Sequence, residues 1–339
     1  MDFGTTRDMR SVFYPELING PFGDPALYVR ISHQKTALLF DCGSLHNYSG
    51  RALRKIDSVF VSHAHIDHLI GFDHLLRVFL PLDRHLTIYG PEGTIRQIQN
   101  RLGAYTWNLT SDYRFCLTAC EWTAGHMIAC TFCAETGFSP GPTRSEANDA
   151  GRLAETPDWT VKTAALEHGN IVSLAYALEE TLHVAIHKDA LLAHNYLPGP
   201  WLSSFKALLR RGVSDQRTIS VPLVDGGHQE VALGTLKQSI AHCEPGMKVV
   251  YVADAAPSNE NFEKIEALAS EAHLLVIESA FAHDDFERAR QRHHLTARLA
   301  GELGRRAGAA KLMVFHHSPR YLDEPERLQA EAFAAFAAQ

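Results

Sequence analysis

Hydrophobic and polar positions along this chain repeat with two periods, one fitting strands and the other helices. Residues 26–31, 36–41 and 58–62 are short apolar runs that predict strands. The third run, SVFVS, is apolar enough for a strand covered on both faces. Residues 69–79 place apolar side chains at helical spacing. Residues 86–89 read as a strand stopped by Gly90-Pro91, with a helix over 92–102. Residues 114–118, 127–133, 161–166 and 172–178 alternate like strands. Residues 137–157, rich in Gly, Pro, Ser, Asn and Asp, predict a loop. Residues 249–252 and 274–277 predict strands flanking a helix near 261–270. The stretch 286–307 predicts one long helix, 311–315 the last strand, and 324–338 the terminal helix.

Strands and helices alternate in both halves, and both halves carry polar residues at strand ends. This predicts a single α/β domain over residues 1–339, arranged as a four-layer αββα sandwich. Residues 189–231 interrupt the alternation with Leu197-Pro198-Gly199-Pro200, the helical segment WLSSFKALLRRG and a polar return. They read as an arm-like insertion protruding from the domain.

Composition narrows the class. A hydrophobic share of 45% and a charged share of 21% suit a soluble globular chain with a large core. A net charge of −7 gives no global basic field, so a polyanionic substrate would need local cationic patches or bound metal. No apolar stretch reaches membrane-spanning length, and MDFGTTRDMR has no apolar core of a secretory leader; the expectation is a cytoplasmic protein without a membrane partner. Six cysteines in such a chain are expected to stay reduced. Cys116, Cys120, Cys130 and Cys133 could form a zinc knuckle, but their strand-like surroundings favour small buried thiols.

The strongest chemical signal is His63-Ala64-His65-Ile66-Asp67-His68, directly after the apolar strand. A strand-end loop that curls around an ion can use all four donors, and imidazole with carboxylate suits zinc, manganese or iron(II). A solvated His-rich turn is the plain alternative. Three further donors also follow predicted strands: His168 after VKTAAL, Asp254 after VVYVA and His316 after KLMVF. Together they predict a two-metal site. His63, His65 and His168 would hold one ion, Asp67, His68 and His316 the other, and Asp254 would bridge them. Paired cations lie roughly 3.5–4 Å apart and clamp the reacting oxygens of a hydrolysis. They also bring the pKa of bound water toward ~7, so that hydroxide is available at neutral pH. Asp67 could in addition orient the attacking hydroxide.

These residues, in this order, resemble the metallo-β-lactamase superfamily, and within it the ribonuclease Z (tRNase Z) branch, which removes 3′ trailers from precursor tRNA. LEHGNIVSLAYALEE, VYVADA, VIESAF, HHLTARLAGEL and VFHHSPRYL resemble successive motifs of that branch. The likeness spans roughly residues 36–321. Gly4-Thr5 keeps a fragment of its opening motif. Ala253-Asp254-Ala255 stands where Gly-Asp-Thr is usual, and Ile277 where a histidine is usual.

The resemblance implies a catalytic pair, with His294 donating a proton to the departing alkoxide and Glu278 holding its tautomer. On spacing alone His294 would be a surface helix histidine. LPGPWLSSFKALLRRG resembles the arm that grips tRNA, which implies substrate contacts from Gly199, Pro200, Lys206, Arg210 and Arg211. A solvated amphipathic face is the alternative for those cations. Arg320 could clamp phosphate or pair with a carboxylate. A homodimer, one subunit's arm serving the other's site, is implied as well.

The expected activity is a metal-dependent phosphodiesterase, a tRNA 3′-processing endoribonuclease using hydroxide held by two divalent ions, with zinc the first choice of metal. The alternative is hydrolysis of a small phosphodiester or ester on the same scaffold. A non-catalytic RNA-binding module fits poorly, because every hydrolytic ligand is kept.

Overall fold

The computed structural model describes residues 11–32 and 34–338. The Gly4-Thr5 fragment and the rest of the MDFGTTRDMR start lie outside the described residues. Contacts divide the described residues into two compact units, one built from residues within 11–153, 162–177 and 248–338, the other from 154–161 and 178–247.

The first sheet has eight strands in sequence order: Phe13–Leu17, Leu27–Ile31, Ala37–Phe40, Ile56–Phe60, His85–Pro91, Cys116–Thr123, Gly125–Cys133 and Arg144–Asn148. Its centre is parallel and its edges antiparallel. The second sheet has six, in the order Leu312–Phe315, Leu274–Glu278, Lys248–Val252, Ile171–Glu180, Trp159–His168 and Arg152–Glu155. Parallel pairing of its first three strands puts their C-terminal ends side by side.

Helices Phe72–Phe79 and Thr94–Gly103 pack on one apolar cluster with the first sheet. Helices Asn259–Ala269, Ala297–Arg306 and Arg327–Ala337 pack on another with the second. The sheets face each other through aromatic rings. Phe40 lies 5.8 Å from both Tyr176 and Tyr251, and Phe60 lies 5.6 Å from Tyr176, between ring centroids. This is the expected αββα sandwich. Each fully buried ring of this kind removes a large apolar area from water, the main source of stability here.

Three sequence expectations need correction. Residues 137–157 are not all loop, since they include the strands Arg144–Asn148 and Arg152–Glu155. Both strands lie at sheet edges, where polar side chains are tolerated and the alternation signal is weak. The long helix over 286–307 is two helices, Phe286–Arg292 and Ala297–Arg306, with His293 at φ 60° between them. The cysteines are not all reduced: Cys116 and Cys133 face each other across the antiparallel pair and form a disulfide. Cys120 and Cys130 remain free and buried, so no four-cysteine knuckle forms.

The second unit carries its own core, with Val184, Leu191, Phe205, Val221, Leu236 and Ile240 buried together. The predicted insertion 189–231 lies inside it. The unit also contains the hairpin Thr218–Pro222 with His228–Ala232, and the pair His183–Ile186 with Ala241–Glu244.

Candidate metal centre and catalytic pair

Every predicted metal ligand sits in the first unit, where a strand ends. The strand Ile56–Phe60 runs into the His63–His68 segment, which ends in the short helix Ile66–Leu69 and is tied down twice: Cys42 N donates to His68 O and Gly71 N donates to Cys42 O, each at 2.8 Å. Gly71 is required at this crossing, because a Cβ there would lie 2.1 Å from the Gly43 carbonyl oxygen. His316 follows the strand Leu312–Phe315 with φ 61°, and Asp41 follows Ala37–Phe40 with φ 56°. Left-handed backbone is uncommon outside glycine and costs on the order of 1 kcal/mol or more. Here it turns each side chain back into the cleft.

The structure brings the donors together in overlapping sets. His63, His65, His168 and Asp254 offer atoms within 4.8 Å of one another, as do Asp67, His68 and His316. Asp254 reaches both sets, with Oδ2 at 3.6 Å from His63 Nε2 and 3.5 Å from His168 Nε2, and Oδ1 at 3.4 Å from His68 Nε2 and 3.3 Å from His316 Nδ1. That is the geometry expected of a bridging carboxylate between two three-donor sets.

The far sides of the rings are held. His63 Nδ1 lies 3.0 Å from Ser62 Oγ. His68 Nδ1 lies 2.8 Å from Asp41 Oδ2, and His168 Nδ1 donates to the His293 carbonyl at 2.8 Å. A partner on Nδ1 leaves Nε2 for a cation and fixes the ring's direction. His63 Nε2, His68 Nε2, His316 Nδ1 and Asp254 Oδ1 are buried without a hydrogen-bond partner. Buried polar atoms without partners are expensive, and here the three histidine nitrogens lie within 3.6 Å of the Asp254 carboxylate, an arrangement that suits a cation cage. The residues present fit two divalent ions.

Asp41 is a candidate positioning residue that sequence reading did not single out. It is fully buried and takes bonds from Ser62 N at 2.6 Å, Ser62 Oγ at 2.8 Å and Tyr251 OH at 2.8 Å, besides its contact with His68. Its only sequence signal was its place at the end of an apolar strand, in Asp41-Cys42-Gly43.

Charge follows the same plan. Burial drives the His63 imidazole down to about 2, helped by His68, so this ring stays neutral as a ligand must. Burial also opposes charge on Asp254, but His316 and His68 overcome it and hold the carboxyl well below the usual range. His68 is pulled down by burial and lifted further by Asp254 and Asp41, ending well above its ordinary value. Asp41 and Asp254 among these imidazoles thus favour positive charge, which a bound cation would supply in place of the His68 proton.

His294 and Glu278 also meet, with Nδ1 to Oε2 at 3.0 Å. Glu278 is fully buried, and its other oxygen accepts from Ala255 N at 2.8 Å and Leu295 N at 3.2 Å. The break between the two helices is what points His294 at this carboxylate. The left-handed turn at His293 also aims its carbonyl at His168. Burial alone would lower His294, but Glu278 outweighs it and raises the imidazole to about 9. His294 Nδ1 is 3.9 Å from Asp254 Oδ2, so a protonated imidazole stands at the edge of the cage.

A family model described as "Beta-lactamase superfamily domain" matches residues 38–161. Ribonuclease Z of Deinococcus radiodurans is 28% identical over 326 residues, covering 94% of this chain and 94% of the relative. The chain is thus similar to the metallo-β-lactamase superfamily and, within it, to ribonuclease Z proteins. Ribonuclease Z of Exiguobacterium sibiricum is 28% identical and covers 91% of this chain and 88% of its own. Among solved structures, the metallo-β-lactamase fold protein YhfI from Bacillus subtilis superposes with a TM-score of 0.54 at 17% identity, over 95% of this chain and 92% of its own. That likeness speaks for the superfamily fold.

The remaining predicted contacts fare differently. Gly199 and Pro200 precede the helix Trp201–Arg210, which carries Lys206. Arg210 does not reach out to a polyanion. Its guanidinium lies 2.7 Å from Asp158 and 3.6 Å from Glu180, both within the second unit. Two carboxylates nearby neutralise the charge a phosphate would use. Arg211 and Arg320 are exposed.

Proposed function

We propose that this protein is a metal-dependent phosphodiesterase of the ribonuclease Z kind, removing the 3′ trailer of precursor tRNA. The observation that carries the reading is the pairing of the Asp254-centred cage with the buried Glu278–His294 pair. The cage is the hydrolytic half, and the pair is a proton donor placed beside it. Divalent ions bound there would polarise the phosphoryl group and supply hydroxide at neutral pH.

The chain's own residues do the rest. Asp254 spans the two donor sets and fixes their separation. Asp67 lies 3.1 Å from His316 Nε2 and 3.6 Å from His68 Nε2, at the open side of the cage, where it can orient the attacking oxygen. His294, charged through Glu278, gives its proton to the departing ribose oxygen, which is a poor leaving group without one. Asp41 holds His68 in place.

Zinc is the metal of choice for imidazole-rich donors, with manganese and iron(II) as alternatives. A homodimer, a cytoplasmic site of action, and an arm over 189–231 carrying Gly199, Pro200, Lys206 and Arg211 to the tRNA are parts of the same reading. Arg320 is the candidate phosphate clamp. The ion-paired state of Arg210 favours a second reading, hydrolysis of small phosphodiesters. Parallel assays on a precursor tRNA and on bis(p-nitrophenyl) phosphate separate the two. Cleavage of both supports the first, hydrolysis of the small diester alone supports the second, and neither rejects both.

A further inference from the structure

A cavity of about 300 Å³ opens directly beside the cage, bounded by Asp67, His294 and His316 on one side. Its other wall is unlike a phosphate track. Phe22, Asp24, Phe281 and Ser318 line it, and among the described residues no lysine or arginine does. A second phosphate entering here would meet the Asp24 carboxylate, with His294 on the cage side the one cationic neighbour among the lining residues. A flat, uncharged group with hydrogen-bond donors would find aromatic faces and an acceptor.

The wall is rigid. The loop from Ile18 to Ala26 is closed by Ile18 N donating to Ala26 O at 2.9 Å, and His317 N donates to Pro21 O at 2.8 Å. Asn19 Nδ2 donates to the carbonyls of Asp24 at 2.9 Å and Ser44 at 2.8 Å. The Phe22 ring stands edge-on to His317 at 5.1 Å between centroids, and the Phe281 ring lies 6.1 Å from His294. Asp24 Oδ2 accepts from Ser44 N at 3.3 Å. That single bond leaves the carboxylate acceptor capacity to offer to a ligand.

We infer that this cavity is a base-selective subsite, in which Phe22 and Phe281 contact the face of a nucleobase and Asp24 accepts hydrogen bonds from its edge. It rests on the phosphodiesterase reading for its position. Because His294 borders it, the nucleoside it holds is the one whose oxygen departs. A carboxylate reads donors: guanine presents N1–H and N2–H side by side, and cytosine and adenine each present one exocyclic amine. Uracil offers only N3–H, flanked by O2 and O4, whose lone pairs repel the carboxylate. The subsite therefore ranks guanine first and uracil last.

Four substrates identical except for the nucleoside on the departing side test this. Wild type should cleave the guanosine substrate at least about tenfold better in kcat/KM than the uridine one, in line with one good base-edge contact. Asp24→Asn should bring the ratio to about threefold or less, since an amide can donate to uracil. Equal rates for the four bases in wild type, or an unchanged ratio in Asp24→Asn, would overturn the inference. Binding of free guanosine and uridine to chelator-treated protein, followed by ligand-observed NMR, gives a readout that needs no turnover. Guanosine binding that Phe22→Ala or Asp24→Asn weakens supports the subsite; equal binding of both nucleosides opposes it. If all four substrates and bis(p-nitrophenyl) phosphate stay intact, the phosphodiesterase reading fails, and the nucleoside titration still decides on the subsite.

Discussion

Asp41 Oδ2 and His68 Nδ1 lie 2.8 Å apart, and neither side chain is exposed to solvent. The carboxylate makes His68 a better ligand and fixes the direction of its ring. Asp41→Asn should therefore weaken metal binding by about 10–100-fold while the fold persists. Metal titration of the chelated variant, with circular dichroism as a check on folding, measures this. Affinity equal to wild type would remove Asp41 from the metal's support.

The Glu278–His294 pair predicts a split between substrates. His294→Ala should slow a ribose ester by about 100-fold or more and affect a nitrophenyl ester far less, because nitrophenolate leaves without a proton. Parallel kcat measurements decide it, and equal losses would give His294 a structural role.

The same pair predicts a pH effect. The folded-state pKa of His294 is raised to about 9, so the charged form is complete below the ordinary histidine value and is lost as pH rises through about 9. Glu278→Gln removes the main attraction, so the alkaline limb of the kcat profile should move at least about one unit lower. A limb that stays in place would assign it to another group.

Thiol chemistry tests the hairpin. In the folded protein Cys42 and Cys120 are buried, and burial pushes Cys120 up to about 12, so both should resist alkylation at neutral pH. Cys243, partly exposed, should react first. Counting thiols in denaturant with and without reductant should reveal two more after reduction, from Cys116 and Cys133. No increase would mean the pair is not bridged.

Much of the sandwich and cage was legible because both depend on strand ends. His63, His65, Asp67 and His68 crowd the end of one apolar strand, and His168, Asp254 and His316 each end another. The helix break at His293 was hidden because neither glycine nor proline marks it; a histidine takes the left-handed turn, and only the contact with His168 shows why. Asp41 was hidden because one aspartate after a strand is ordinary until its partners are known. The edge strands Arg144–Asn148 and Arg152–Glu155 were masked by turn-rich composition. The pairing of Cys116 with Cys133 depends on strand register, which spacing does not reveal. Residues 189–231 looked separable, yet a cut there would strand Leu233, Leu236 and Ile240 of the second unit's core. A deletion testing the arm is better placed at the edges of residues 178–247.

The most direct test of the account is incubation of metal-loaded protein with a precursor tRNA carrying a 3′ trailer, with the new 3′ end mapped by sequencing. The account predicts a single cut at the trailer junction, lost on chelation and in Asp254→Ala, and restored to wild type by added zinc or manganese. A precursor left intact under conditions where the same preparation hydrolyses bis(p-nitrophenyl) phosphate would contradict it.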